Sequence, residues 1–136
     1  MKRQAYIIII ATVIVGFGMA FAQDKSDVMR KTDDGTYIVN TTTLCNTRGY
    51  RQGTPVEVYI KKGKVVKVEA LKNRETKNFF ALVVKNLLPM YNDLKLSKAK
   101  KLTEEKMVDG CTGATYSCNA VQDNIKAALE YYEANK

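Results

Sequence analysis

The feature that most limits the fold is a pair of alternating apolar segments, residues 56–60 and 65–71, joined by a short turn at Gly63. Such alternation puts every second side chain on one face of a strand. Gly63 can adopt the positive φ angle that a tight hairpin turn needs. The pattern therefore predicts a β-hairpin with one buried face. The residues predicted on that face are Val56, Val58, Ile60, Val66, Val68 and Ala70.

The segments around this hairpin predict a further strand and a buried helix. Residues 36–44 are rich in β-branched and aromatic residues and follow a turn signal at 33–35, so a strand is predicted there. Residues 78–91 are too densely apolar for a one-sided strand and predict a helix, with Asn78 as its N-cap. Pro89 is expected to end or kink that helix, because proline disfavours helical backbone in the residue before it.

The last third of the chain predicts a polar connection followed by an amphipathic helix. Residues 95–106 are polar and only weakly helical, so a loop is expected there. Ser117 or Asn119 is a suitable N-cap for a helix that runs to about Tyr132. Strands, helix, loop and helix in this order predict an α+β fold, a curved antiparallel sheet packed by two helices. The apolar stripe of the last helix consists of Val121, Ile125, Ala128, Leu129 and Tyr132.

The first 22 residues have the organisation of an export signal. Two basic residues precede an uncharged apolar stretch, residues 5–22, which ends in a small-x-small pattern at Ala22. One hypothesis is a signal peptide cleaved after Ala22. The other is an uncleaved helical membrane anchor, since about 18 apolar residues can just cross a bilayer. Both place the rest of the chain outside the cytoplasm, with residues 23–33 as a polar linker and residues 34–136 as the domain.

Composition excludes several classes of function. The chain has no histidine, which excludes a Ser-His-Asp hydrolase, a His-ligated zinc enzyme and a two-His iron oxygenase. Its net charge of +8 would suit a protein that binds nucleic acid, but the predicted export argues against nucleic acid as a partner. The densest basic run, residues 94–101, is interpreted as a solvated face. The alternative is attraction to an anionic membrane surface or to an acidic redox partner.

Three cysteines, Cys45, Cys111 and Cys118, would meet an oxidising compartment outside the cytoplasm. Their odd number leaves at least one of them unpaired or bonded to another chain. Their spacings match no zinc site, so no metal is predicted. The pairing stays open, because Cys45 with either of the others would close a long loop and Cys111 with Cys118 a short one.

The segment before the last helix carries the clearest chemical signal. Residues 109–115, DGCTGAT, contain two glycines and two threonines and lead directly into the predicted helix. The start of a helix offers free N–H donors and the positive end of the helix dipole, which together favour a phosphate group. The alternative is an ordinary capping turn, in which Asp109 forms an Asx turn and a threonine caps the helix.

This segment resembles the flavinylation motif D-G-x-[ST]-G-A-[ST] of the FMN-binding domain family. That family includes flavin-carrying subunits of the sodium-translocating NADH:quinone reductase and of the related Rnf electron-transport complex, and small extracytoplasmic flavin carriers. The resemblance covers residues 34–132 and includes the hairpin. Its other parts are the opening strand at 34–37, the turn Gly49-Tyr50-Arg51, the pair Glu75-Thr76 and the closing helix from 117 to 129.

The resemblance implies that FMN is joined through its phosphate to the hydroxyl of Thr115. A magnesium-dependent flavin transferase with FAD as donor would make that bond. Gly113, Ala114 and Tyr116 are predicted as close contacts of the flavin and Tyr50 as a further candidate near the ring; the alternative for either tyrosine is an ordinary surface or core position. The implied protein carries electrons to or from membrane or periplasmic partners and has no catalytic residue of its own, since the flavin supplies the redox chemistry. The residues implied for recognition by the transferase are Asp109, Gly110, Thr112, Gly113 and Ala114.

Two other classes of function remain as alternatives: a secreted binding module of the same fold without flavin, and a reductase with non-covalent FMN. The chain also departs from the family pattern at two places. Lys77-Asn78 follows Glu75-Thr76 where the family often has Pro-Gly, and Cys111 and Cys118 replace small or apolar residues. A disulfide between these two cysteines would stiffen the attachment loop, and the alternative is a free Cys111 that reacts near the flavin ring.

Overall fold

A computed structural model describes residues 28–47, 49, 53–75, 77–105 and 114–136. Within these residues, five strands form one antiparallel sheet, and each strand pairs with the next one along the chain. The strands are β1 (Met29–Lys31), β2 (Tyr37–Asn40), β3 (Val56–Lys61), β4 (Lys64–Ala70) and β5 (Leu94–Lys95). The N-terminal segment predicted as a signal or anchor lies outside the described residues.

Among the described residues, three α-helices complete the predicted α+β fold: α1 (Lys77–Leu82), α2 (Leu96–Thr103) and α3 (Thr115–Asn135). Helix α1 continues as a π-helical turn, Val83–Leu87, and a 3-10 turn, Leu88–Tyr91. The change to 3-10 geometry agrees with the break expected at Pro89, which occupies the start of the 3-10 turn. In the part of the chain that the structure describes, no helix has both the length and the apolar character to span a membrane.

The predicted hairpin is confirmed by β3 and β4. Lys62 and Gly63 form its turn with φ angles of 52° and 74°, the positive values that a two-residue type I′ turn requires at both central positions. On β3, Val56, Val58 and Ile60 are fully buried, as the alternation indicated. These three side chains form the centre of the sheet's buried face.

The alternation predicted for β4 is wrong at Val66. The register pairs Tyr59 with Lys67 but Ile60 with Val65, so β4 contains one extra residue at a β-bulge. The bulge reverses the facing of the residues before it: Val65 is fully buried, whereas Val66 is 37% exposed. Successive side chains of a strand point to opposite faces of the sheet. One inserted residue is therefore enough to put Val65, instead of Val66, on the buried face.

The sheet begins earlier in the chain than expected. Met29–Lys31 pairs with β2, although the sequence predicted residues 23–33 as a linker, so that prediction is wrong for β1. Val28, directly before β1, joins the apolar core with 7% exposure. Short strands are hard to recognise in a polar segment, because β1 owes its conformation to pairing with β2 rather than to its own composition.

Two further expectations need correction. Helix α1 begins at Lys77, so Asn78 lies inside its first turn and not at its N-cap. Residues 96–103, predicted as part of a loop, form α2. The helix is stabilised by contact with the core, because Ala99 and Leu102 are buried although three lysines, Lys98, Lys100 and Lys101, lie next to them on the chain.

Helix α3 packs on β2 and β3 through the predicted apolar stripe, all five residues of which are buried. A buried polar network fixes its position along the sheet. The Thr41 hydroxyl donates to Asn124 Oδ1 at 2.7 Å and accepts the backbone N–H of Val56 at 2.9 Å. The Tyr91 hydroxyl donates to Gln122 Oε1 at 2.5 Å. Because buried polar groups are costly without partners, these bonds specify one register for α3.

Candidate functional site

The candidate site lies at the start of α3. Ala114 is the N-cap residue, and its carbonyl accepts the backbone N–H of Cys118 at 2.9 Å, the first hydrogen bond of the helix. Ser117 and Asn119, the predicted N-caps, therefore lie inside the helix, and that prediction is wrong. The methyl side chain of Ala114 cannot accept a hydrogen bond from the first turn, as a serine or aspartate cap would.

Thr115 is the first residue of α3, and its side chain is exposed to solvent. Ala114 before it is buried with 4% exposure, whereas Tyr116 after it is 69% exposed. The first turn of α3 contains no acidic residue of its own. A negatively charged group on Thr115 would therefore stand at the positive end of a 21-residue helix, where the dipole and the free amides stabilise it.

Glu75 joins the start of α3 to the loop after β4. Its carboxylate is buried, with 7% exposure for the residue, and its Oε1 accepts the Ser117 hydroxyl at 3.0 Å. Gly49 makes this position possible, because a Cβ atom there would lie 1.7 Å from Glu75 Oε1. The structure thus brings Gly49 and Glu75, two residues of the family resemblance, together beside the second residue after Thr115.

Asn73, which was not predicted as a site residue, shapes the loop that carries Glu75. Its Oδ1 accepts the backbone N–H of Glu75 at 3.0 Å, and its Nδ2 donates to the carbonyl of Leu71 at 3.1 Å. This is an Asx turn, in which the side chain replaces a backbone partner. An asparagine two residues before Glu75 and two residues after the end of the strand-like segment 65–71 was the available signal.

One groove borders the loop that carries Glu75, and another borders α3. The first, of about 410 Å³, lies between α1 and the loop that carries Glu75. Its lining residues are Asn73, Glu75, Lys77, Phe80, Ala81, Val84 and Lys85. The second, of about 400 Å³, lies between α2 and α3 and includes Asp123 and Asn119. Within the described part of the chain, Asn119 Oδ1 is buried and has no hydrogen-bond partner.

Several predicted site residues lie outside the described residues: Asp109, Gly110, Thr112, Gly113 and Tyr50. Of the cysteines, Cys118 is disulfide-bonded and Cys45 carries a free thiol, while Cys111 also lies outside the described residues. Among the residues that are described, no group of three or more acidic or cysteine side chains could hold a metal ion.

Comparison with known protein families gives a match that includes the residues described above. Residues 49–130, more than half of the chain, match the sequence model of the FMN-binding domain. The matched range begins at Gly49 and includes Glu75, the 109–115 motif and most of α3. No curated protein and no solved structure matches the chain significantly.

Proposed function

Because the chain belongs to the FMN-binding domain family, we propose that it is an extracytoplasmic electron-transfer protein that carries FMN covalently on Thr115. FMN is the cofactor that the family match supports. The observation that carries the choice of Thr115 is its exposed side chain at the first position of α3. The position is accessible to an enzyme and lies in the field of a helix N-terminus, which suits a phosphate.

The attachment is a phosphoryl transfer from FAD. The Thr115 hydroxyl oxygen forms a bond to the FMN phosphorus, the bond to the AMP half of FAD breaks, and AMP leaves as the hydroxyl proton is released. A separate magnesium-dependent flavin transferase makes this bond, with the motif residues as its recognition sequence. The bound ring supplies the redox chemistry, and this chain supplies the attachment, the orientation and the local charge.

A covalent bond suits the proposed location. Residues 1–22 export the chain, either as a cleaved signal peptide or as a retained anchor. Outside the cytoplasm a dissociated flavin would be lost by dilution, whereas a phosphoester keeps it on the protein. The proposed partners are therefore the transferase and membrane or periplasmic redox proteins, and no nucleic acid.

Co-expression of the chain with a flavin transferase tests the proposal. The denatured protein should show flavin fluorescence on a gel, and its intact mass should include one FMN phosphoester. Thr115→Ala should lose both signals, while Thr115→Ser should keep them, because serine offers the same nucleophile. Flavin that denaturant removes from the wild-type chain, or covalent flavin that survives in Thr115→Ala, would contradict the assignment.

A further inference from the structure

Two basic segments that are distant in sequence meet at one end of the sheet. Residues 61–64 form the hairpin turn, residues 94–103 form β5 and α2, and neither segment contains an acidic residue. Strand β5 pairs with β4 directly after the turn, and the backbone N–H of Leu96 donates to the carbonyl of Gly63 at 3.2 Å. We call the exposed lysines of the two segments the basic patch: Lys62, Lys64, Lys95, Lys98 and Lys101.

The lysines of the basic patch are close neighbours. Lys64 and Lys95 are directly opposite each other on antiparallel strands, so their Cα atoms lie about 4.5–5.5 Å apart. Lys95 is the N-cap of α2, and Lys98 and Lys101 follow at intervals of three residues, which puts successive Cβ atoms about 5–6 Å apart. Like charges at this spacing repel one another, so an anionic partner would relieve an unfavourable arrangement.

The basic patch is not neutralised from within the described part of the chain. Two acidic residues at this end of the molecule pair with other lysines: Asp34 with Lys61 at 3.4 Å, and Glu133 with Lys100. Asp93 and Glu104, which flank β5 and α2, form no ion pair with another described residue. None of the five lysines of the patch has an ion-pair partner among the described residues.

The basic patch and Thr115 lie at opposite ends of the molecule. Glu133 of α3 contacts Lys100 of α2, and it follows Thr115 by about five helical turns, or about 27 Å along the helix axis. The ring of Tyr132 packs on that of Tyr37 with the centroids 5.2 Å apart, and Tyr37 pairs with the end of β3 that leads into the hairpin turn. The C-terminal end of α3 is therefore the end beside the patch.

We propose that the basic patch binds the anionic headgroups of a phospholipid membrane. The negative potential of an anionic bilayer attracts lysines at its surface, and the contributions of several lysines add. An acidic redox partner would satisfy the same charges, but it would lie about 27 Å from the attachment residue. Electron transfer slows steeply with distance, so this separation favours the membrane. That choice of partner rests on the proposed attachment at Thr115, and it leaves the flavin on the side away from the bilayer.

Labelling of lysine amines tests the membrane contact. The full chain, in the N-terminal form that the cell produces, is combined with vesicles of phosphatidylglycerol and phosphatidylcholine, or of phosphatidylcholine alone. A trace of acetylating reagent is added, and the labelled lysines are measured by peptide mass spectrometry. The anionic vesicles should slow the labelling of the basic patch by about fivefold or more. At about 1 M salt this protection should disappear, because the screening length falls to about 3 Å.

Three exposed lysines near the Thr115 end serve as internal controls: Lys72, Lys77 and Lys85. Lys77 and Lys85 line the same groove as Glu75, whose carboxylate accepts the Ser117 hydroxyl in the first turn of α3. These lysines should label equally with both kinds of vesicle. Protection of the controls in place of the basic patch, or equal labelling of the patch with anionic and neutral vesicles, would overturn the proposal.

Two triple variants of equal net charge test the position of the contact. The patch variant carries Lys64→Gln, Lys95→Gln and Lys98→Gln, and the control variant carries Lys72→Gln, Lys77→Gln and Lys85→Gln. Lys62 and Lys101 remain as reporters in both variants. They should lose their protection in the patch variant, because each lost lysine weakens the association about fivefold, and keep it in the control variant. Equal loss in both variants would mean that net charge alone matters, which contradicts a defined patch.

A soluble acidic polymer separates the membrane from an acidic protein partner. Polyglutamate replaces the vesicles in the same labelling experiment. Protection by polyglutamate without protection by the anionic vesicles would assign the basic patch to an acidic protein and overturn membrane binding.

Intact mass separates the failure of this inference from that of the proposed function, since the labelling does not require a flavin. A chain that carries FMN on Thr115 but shows no protection by anionic vesicles contradicts only the membrane contact. A chain without covalent FMN whose basic patch is protected contradicts only the proposed function.

Discussion

Close packing of three residues, Gly49, Glu75 and Ser117, shapes the start of α3. Glu75 is a buried carboxylate, which is costly without hydrogen-bond donors, and the Ser117 hydroxyl supplies one of them. The carboxylate fits only because Gly49 has no side chain. The glycine of the 49–51 turn is therefore required by a close approach to Glu75.

Replacement of that glycine should destabilise the domain. In Gly49→Ala the new Cβ would overlap Glu75 Oε1, so the carboxylate must move away from Ser117. We expect the free energy of unfolding, measured by urea denaturation, to fall by about 1–3 kcal/mol. Gly53→Ala is the matched control, because a Cβ there meets nothing within 4 Å. Equal stabilities of the two variants would show that the close approach is not a constraint.

Tyr91 should make the stability sensitive to alkaline pH. Burial, and to a smaller extent Glu105, raises the pKa of its hydroxyl above the ordinary value of 10.0. The unfolded chain ionises this group near pH 10 while the folded chain keeps its proton. The stability linked to Tyr91 is thus present below pH 10 and is lost as the pH rises further.

Tyr91→Phe removes this dependence. Between about pH 9 and about pH 11, its free energy of unfolding should fall less steeply than that of the wild type. At neutral pH the variant should be less stable by about 1 kcal/mol, because Gln122 Oε1 loses its donor. Parallel pH profiles of the two proteins, measured by urea denaturation, would contradict a buried, neutral Tyr91.

At the scale of elements, the bulge in β4 decides which valine belongs to the core. Strict alternation places Val66 on the buried face, but the extra residue puts Val65 there instead. The bulge lies next to the tight turn at Lys62 and Gly63, and β5 pairs with β4 at Lys64 and Val65. Pairing on both sides therefore holds Val65 in place, which the composition of β4 alone does not specify.

Alanine substitution at the two valines tests the bulge directly. Val65→Ala removes fully buried methyl groups and should lower the free energy of unfolding by about 2 kcal/mol. Val66→Ala should change it by about 0.5 kcal/mol or less, because the side chain is 37% exposed. Thermal or urea denaturation gives both values. A larger loss of stability in Val66→Ala than in Val65→Ala would contradict the bulge and support the uninterrupted alternation predicted from sequence.

At the scale of the whole molecule, β1 extends the sheet to residues before the boundary predicted from sequence. It covers the edge of β2, and Arg30 forms an ion pair with Glu57 of β3 at 2.8 Å. Val28 adds an apolar side chain to the core. The folded unit therefore includes residues that the sequence pattern predicted as a linker, and β2 is an inner strand of the sheet.

Two shortened chains test this boundary. A chain that starts at Val28 retains β1 and should have the Tm of the full domain, measured by circular dichroism. A chain that starts at Asp34, the boundary predicted from sequence, exposes the edge of β2 and loses the burial of Val28. Its Tm should be lower by about 5–10 °C, since burial of one valine contributes about 1.5–3 kcal/mol. Identical Tm values would place β1 outside the cooperative unit.

Sequence by itself determined the β3–β4 hairpin, the buried stripe of α3 and the motif at 109–115, since alternation, turn chemistry and motif spacing are properties of neighbouring residues. The tertiary structure alone decided the bulge at Val66, the strand β1 and the helix α2, because each depends on contacts with residues distant in the chain. The same is true of the surroundings of Thr115. Gly49, Glu75 and Ser117 are far apart in sequence, and only folding brings the buried carboxylate, the missing Cβ and the helix start together.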